Sequence, residues 1–136
     1  MWMTKILILE DSEERIKAFK KNFFSVDMFY TDKPLVAIEE LKKGGYKMLF
    51  LDHDLGGTTY AASDENSGYA VAKWLEENPQ HQPPIIVLHS LNPTGVENMN
   101  KALPNAKKVP FVWNMQLNFD AGMVERQTHL PQEQAE

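Results

Sequence analysis

Short unbroken apolar runs, separated by amphipathic stretches, organise this chain. Residues 5–9 read Lys-Ile-Leu-Ile-Leu, residues 48–51 Met-Leu-Phe-Leu and residues 85–88 Ile-Ile-Val-Leu. A strand that is apolar on both faces belongs in a sheet covered on both sides, as parallel sheets are. Residues 26–30 form a weaker strand signal. Residues 108–113 form another, and Pro110 within it points to a sheet edge because proline cannot donate to a ladder.

Between these runs the spacing changes to three and four. Ile16, Phe19 and Phe23 predict a helix over residues 12–23, with Ser12 and the acids Glu13 and Glu14 suited to its start. Pro34, Leu35, Ile38 and Leu41 predict a second helix that ends at Gly44-Gly45. Residues 67–77 predict a third, with Tyr69, Val71, Ala72, Trp74 and Leu75 available for packing. Asn92-Pro93-Thr94-Gly95 is turn chemistry before a helix from about residue 96 to 103. Residues 58–66 read as a polar loop. Beyond Asn114, Met115, Leu117 and Phe119 alternate like a strand, residues 121–126 suggest a helical turn, and the chain from about Pro131 reads as a disordered tail.

Strands alternating with helices imply parallel pairing, right-handed crossovers and helices on both faces. The expected fold is a single α/β domain over residues 1–113 with a five-stranded parallel sheet. Residues 114–136 are then a partly disordered C-terminal extension. If the strand order is 2-1-3-4-5, the third strand lies between the first and the fourth, and the residues at their carboxyl ends share one crevice. Length agrees with one domain, since 136 residues bury a sufficient core without staples.

Charge and composition narrow the function. The net charge of −5 argues against a nonspecific binder of double-stranded nucleic acid, which usually presents a basic face. With no cysteine, disulfides, thiolate catalysis and thiolate zinc sites are excluded. The polar residues after Leu9 do not fit a signal peptide, and no apolar run approaches a membrane span. The expectation is a soluble cytoplasmic protein with no membrane partner.

The chemistry-bearing residues fall at strand ends. Glu10 and Asp11 follow the first run, Asp52-His53-Asp54 the third, and His89-Ser90 the fourth. In open parallel sheets, ligands bind beyond the carboxyl ends of the strands where the strand order reverses. Glu10, Asp11 and Asp52 would repel one another without a positive partner, and hard oxygen donors suit magnesium, manganese or calcium. The plainer reading makes Asp11 a helix cap and Glu10 a solvated acid. His89 at a strand end suits proton transfer near neutral pH, and Asp54 or His53 suits orienting the site. Both histidines read equally as locally satisfied, and Asp54 as an acceptor for loop amides. Gly56-Gly57 permits positive φ. Ser90, Asn92 and the amide of Gly95 suit phosphate oxygens, Lys108 suits the same rim, and Arg15 lies one turn from Asp11. Turn formation and surface charge explain these equally well. Trp74, Trp113 and the phenylalanines read as core.

Leu9-Glu10-Asp11, Leu51-Asp52 and Ser90 together resemble the receiver domain of two-component response regulators, a flavodoxin-like three-layer sandwich whose sheet has the order 2-1-3-4-5. That resemblance implies magnesium on the acidic pair and on the third-strand aspartate. It also implies Asp52 as phosphoacceptor, Ser90 as phosphoryl contact and a lysine after strand five. The chain departs from that pattern in Asp52-His53-Asp54, in His89 and in Lys108-Val109-Pro110-Phe111. With Asn92-Pro93-Thr94-Gly95 and Asn98-Met99, these departures resemble the cyclic-phosphate processing receiver domain, over about residues 5–113. The resemblance implies a metal-dependent phosphoesterase acting on a small phosphorylated ligand, such as a cyclic nucleotide or an RNA terminal cyclic phosphate. Glu10, Asp11 and Asp52 are then metal ligands, His89, Asp52, Asp54 and His53 catalytic residues, and Ser90, Asn92, Gly95 and Lys108 phosphate contacts. The alternative is a module without turnover: a receiver phosphorylated on Asp52, or a protein that sequesters a nucleotide.

Overall fold

The computed structural model of the protein describes residues 3–57 and 62–126. The first ten elements are β1 (Thr4–Leu9), α1 (Glu13–Asn22), β2 (Val26–Thr31), α2 (Pro34–Lys43), β3 (Tyr46–Leu51), α3 (Tyr69–Glu77), a 3-10 turn (Pro79–His81), β4 (Ile85–Leu88), α4 (Pro93–Ala102) and β5 (Lys107–Lys108). β6 (Met115–Asn118) and β7 (Gly122–Glu125) follow. The first five strands form one sheet in the order β2-β1-β3-β4-β5, all neighbours parallel. This is the expected receiver-like order. Among the described residues no helix is long and apolar enough to cross a membrane.

The alternation of side chains along each strand divides the core into two layers. Leu7, Leu9, Leu49, Leu51 and Leu88 face α2, α3 and α4. Ile6, Ile8, Met48, Phe50 and Val87 face α1 and the C-terminal hairpin. The residues of β1 and the apolar stretch of β3 are essentially inaccessible at Ile6–Leu9 and Met48–Leu51. Burying each such side chain contributes about 1.5–3 kcal/mol, so a both-faces-apolar strand is stable here and would be untenable at a sheet surface.

Helix ends follow their side chains. Ser12 caps α1, its Oγ accepting from the Arg15 amide at 3.2 Å, and Asn92 caps α4, its Oδ1 accepting from the Gly95 amide at 3.0 Å. α4 therefore starts at Pro93, earlier than the apolar spacing suggests, because proline is well tolerated in a first turn.

Two C-terminal expectations change. The fifth strand is two residues long instead of six, because Pro110 has no N–H to continue the ladder. The amides of Val109 and Phe111 still reach the carbonyls of Leu88 and His89, both at 3.1 Å. Residues 121–126 form no helical turn: β6 and β7 are an antiparallel hairpin in which Asn118 pairs with Gly122. The Asn118 Oδ1 accepts from the amides of Asp120 and Ala121 and closes the turn. Gly122 has φ +87, and a Cβ there would overlap the Val87 side chain, so only glycine lets the hairpin lie against the sheet. Met115 and Met123 enter the α1-side core, and Leu117 packs on it. The expected tail beyond Pro131 lies outside the described residues.

Candidate functional site

Backbone pairing runs one residue past the ends of the central strands. The amide of Glu10 reaches the Thr31 carbonyl, that of Asp52 the Leu9 carbonyl and that of His89 the Leu51 carbonyl, each at 3.0 Å. Glu10, Asp52 and His89 thus stand in one row across β1, β3 and β4. Their parity puts them on the α1 side, continuing Ile8, Phe50 and Val87. One ligand-capable atom from each of the three lies within 4.8 Å of the others.

All three side chains are buried: Glu10 is 2%, Asp52 3% and His89 0% exposed. The His89 Nε2 lies 2.8 Å from Glu10 Oε1, and since a carboxylate only accepts, Nε2 carries the proton and donates. The His89 ring sits edge-on to Phe19 at 5.4 Å and near Phe111 at 6.5 Å. Its Nδ1 has no hydrogen-bond partner among the described residues. Glu10 Oε2 accepts from the Ser12 amide at 3.0 Å, and the Arg15 guanidinium stands 3.7 Å from Oε1. Burial alone pushes the Glu10 carboxyl up. The His89 hydrogen bond and attraction, the Ser12 amide and Arg15 outweigh it, and Glu10 is held below the usual carboxylate range.

Asp52 has the opposite balance. Its Oδ1 accepts from the His53 amide at 2.8 Å. Burial, opposed by His89 but reinforced by the charge of Glu10, pushes its carboxyl up to about 7. Two adjacent carboxylates whose pKa values are driven apart by burial and by named charged neighbours are the pattern of a functional site.

Asp11 is placed differently from Glu10. It turns toward the loop after β3, where its Oδ2 accepts from the Gly57 amide at 2.7 Å. Gly56 and Gly57 take φ of 70 and 78, so the loop supplies an amide that a β-branched residue would not present there. Burial raises the Asp11 carboxyl, with the Gly57 amide opposing and Glu10 adding to the shift.

His53 and Ser90 follow Asp52 and His89 by one residue and have the opposite parity. His53, fully buried, lies under the start of α4, where a Cβ on Gly95 would overlap its ring. Its Nδ1 is 2.8 Å from Asp54 Oδ1 and its Nε2 2.8 Å from Ser63 Oγ. Aspartate, histidine and serine stand in a row, but Asn98 Nδ2 also donates to Ser63 Oγ at 2.8 Å. With the ring inaccessible, the row clips the loop around Ser63 to α4. Asn92 joins this network by donating from Nδ2 to Asp54 Oδ1 at 2.9 Å, and Ser90 Oγ accepts from the Asn92 amide at 3.0 Å.

A cavity of about 570 Å³ opens over the row of acids. It is lined by Glu10, Asp11, Asp52, Asp54, Ser90 and Asn92 on its polar side, with Arg15, Leu91 and Trp113 at its walls. Of the residues expected in the site, these six acids and polar groups come together. Four do not line the cavity. His89 and His53 are enclosed, Gly95 spends its amide on the Asn92 cap, and Lys108 lines a separate groove between β4, α4 and β5 with Val96 and Glu97. The cation that does line the cavity is Arg15. Trp113, expected in the core, is 61% exposed at the cavity wall. Its position after the proline-interrupted edge strand was the available signal, since such a strand packs little on its outer side.

The family described as the cyclic-phosphate processing receiver domain matches residues 5–105. No relative matches among curated proteins. Among solved structures, the phosphorylated cyanobacterial phytochrome response regulator RcpA superposes with a TM-score of 0.62 at 16% identity, over 80% of this chain and 81% of that one. A CheY-like receiver domain from Methylobacillus flagellatus gives 0.58 at 17% identity, over 88% and 92%. The receiver domain of Ssk1 from Saccharomyces cerevisiae, solved with the histidine phosphotransfer protein Ypd1, gives 0.56 at 19%, over 81% of each chain. At such identities these structures bear on the fold alone. The family match over most of the described sheet and its crevice carries the assignment, and the chain belongs to the cyclic-phosphate processing receiver domain family.

Proposed function

We propose that this protein binds a divalent cation on Glu10 and Asp52 and uses it to process a cyclic phosphate ester in the cavity above them. The observation that carries the reading is the Glu10-Asp52-His89 row. Its ligand-capable atoms lie within 4.8 Å of one another, and burial pushes the Asp52 carboxyl up to about 7. Two buried carboxylates with room for water fit magnesium or manganese, and His89, whose Nε2–H donates to Glu10, stands outside the ligand set. When bound, such a cation neutralises the acids, polarises a phosphoryl oxygen and acidifies water.

The chain's own residues supply the rest. His89 touches no ligand and is a positioning residue: its Nε2–H fixes the Glu10 carboxylate toward Asp52. Asp11, held by Gly57, stands at the cavity rim. Arg15 offers a guanidinium to phosphate oxygens, and Ser90 and Asn92 line the same cavity. Asp54, fixed by Asn92 and His53, is the group placed to accept a proton at the cavity edge. The family description, cyclic-phosphate processing, agrees with this reading.

The test is incubation with magnesium or manganese and a panel of cyclic phosphates, with product analysis. Ring-opened product from wild type, lost in Asp52→Asn, is expected. No turnover of any cyclic phosphate would sink hydrolysis.

A second reading has its own observation. Asp52 ends β3 beneath an open cavity in a fold shared with phosphorylated RcpA, which suits an aspartyl phosphoacceptor. The seat of Lys108 in the neighbouring groove weighs against it. Phosphate incorporated from a small phosphodonor, and lost in Asp52→Asn, would favour this reading.

A further inference from the structure

The cavity has two chemical halves. One is the acid and amide floor already described. The other is a wall of Trp113, 61% exposed, and Leu91, 54% exposed. Of the large apolar side chains exposed among the described residues, these two border the cavity. Single exposed apolar side chains are ordinary, but an indole held in place beside a polar cavity presents a flat apolar surface to whatever enters it.

Trp113 is fixed from behind. Its ring meets the buried Phe111 edge-on, with centroids 4.9 Å apart and planes at 88°. Phe111 is in turn packed by Phe19 at 5.5 Å and covered by the Arg15 guanidinium at 5.0 Å. The Trp113 carbonyl accepts from Asn22 Nδ2 at 3.2 Å, which ties the backbone to the end of α1. The indole therefore loses little freedom on stacking, and preorganisation of this kind converts contact into affinity. Arg15 links the halves, since it touches Phe111 on one side and Glu10 on the other.

We infer that Trp113 is a stacking platform for a nucleobase, so that the cavity takes a nucleoside cyclic phosphate with its base on the indole and its phosphate over the acids. This deepens the proposed function and rests on it. A cavity of about 570 Å³ falls within the range that holds small ligands, roughly 300–1,000 Å³. Every base has a π-face, so the platform selects for an aromatic base without choosing among bases. Specificity would then lie between nucleotides and base-free phosphates.

The experiment is calorimetric titration, with magnesium present, of adenosine 2′,3′-cyclic monophosphate and of glycerol 1,2-cyclic phosphate, which has the ring phosphate and no base. Wild type is expected to bind the nucleotide about tenfold or more tightly than the base-free ligand. Trp113→Ala removes that advantage and leaves the glycerol compound unchanged, whereas Trp113→Phe keeps part of it. With 61% of its surface exposed, the Trp113 site tolerates truncation, and an unchanged melting curve confirms folding. Equal affinities in wild type overturn the inference, as does a loss in Trp113→Ala that is the same for both ligands. In either case the proposed function stands on the base-free ligand. If neither ligand binds, the proposed function falls and the inference with it.

Discussion

The imidazole Nε2 of His89 and the Oε1 of Glu10 meet at 2.8 Å, and both side chains are wholly enclosed. They are 79 residues apart, brought together because β1 and β4 flank β3 in the sheet. Removing one partner of a buried, hydrogen-bonded pair leaves the other uncompensated, at about 3–5 kcal/mol. His89→Ala should therefore lose several kcal/mol in denaturant unfolding. Glu10→Gln keeps an acceptor for Nε2–H and should lose less. Equal losses would show that the carboxylate charge, which glutamine lacks, and not the hydrogen bond alone or the packing against Phe19, stabilises this corner.

Asp52 sets a pH dependence whose sign is opposite to the usual carboxylate. Its folded pKa, about 7, lies above the ordinary 3.8, so between those values the native state holds more protons than the unfolded chain. Stability then falls as pH rises through this window, with each pKa unit carrying about 1.4 kcal/mol. Glu10, held low, acts the other way and only at more acid pH. Without divalent cation the protein should melt lower at pH 8 than at pH 5, and Asp52→Asn should flatten that difference. Magnesium or manganese should raise the melting temperature most at pH 8, where Asp52 is ionised. A melting temperature insensitive to both would remove Asp52 from the metal set.

Gly68 and Gly95 are tight contacts of different kinds. A Cβ on Gly68 would overlap the Asp52 carbonyl, and one on Gly95 the His53 ring. Forced overpacking costs about 1–3 kcal/mol, more where backbone must move. Gly68→Ala should lower stability and weaken metal affinity together, because the strand end carrying Asp52 has to shift. Gly95→Ala should lower stability with a smaller effect on the metal, since His53 lies on the other face of the sheet.

Asn92 caps α4 with Oδ1 and holds Asp54 with Nδ2. Asn92→Ala should cost about 1–2 kcal/mol for the lost cap alone. Asn92→Asp retains a capping oxygen but sets a second carboxylate against Asp54. Its thermal stability should be lower than wild type at neutral pH and recover as the pH is brought toward 4. A variant equally impaired at both pH values would refute the repulsion.

Arg15 and Lys108 separate the two functional readings. Arg15→Ala should weaken binding of a cyclic phosphate about tenfold by removing a charged contact, whereas Lys108→Ala should leave it unchanged. The reverse order would favour the phosphoacceptor reading.

Much of the fold was legible in the apolar runs at residues 5–9, 48–51 and 85–88, because only a sheet covered on both faces accommodates such strands. The β-α alternation implied parallel pairing, and the strand order came with the resemblance to receiver domains. The crevice was legible too, since Glu10, Asp52 and His89 each follow an apolar run. The hairpin was not: residues 121–126 suggest a helical turn, and the role of Gly122 appears only where its backbone meets Val87. Residues 121–126 have no periodicity strong enough to resist that contact.

The sequence by itself determined that carboxylates and histidines would gather at the carboxyl end of a parallel sheet, because strand ends are where local pattern places them. Tertiary structure decided how they divide. Parity along the strands put Glu10, Asp52 and His89 in one buried row and sent His53 beneath α4, to Ser63 and Asp54. It also turned Lys108 away and brought Arg15 and Trp113 to the cavity. The physical reason is that side-chain direction depends on register with neighbouring strands, and register is a property of the assembled sheet.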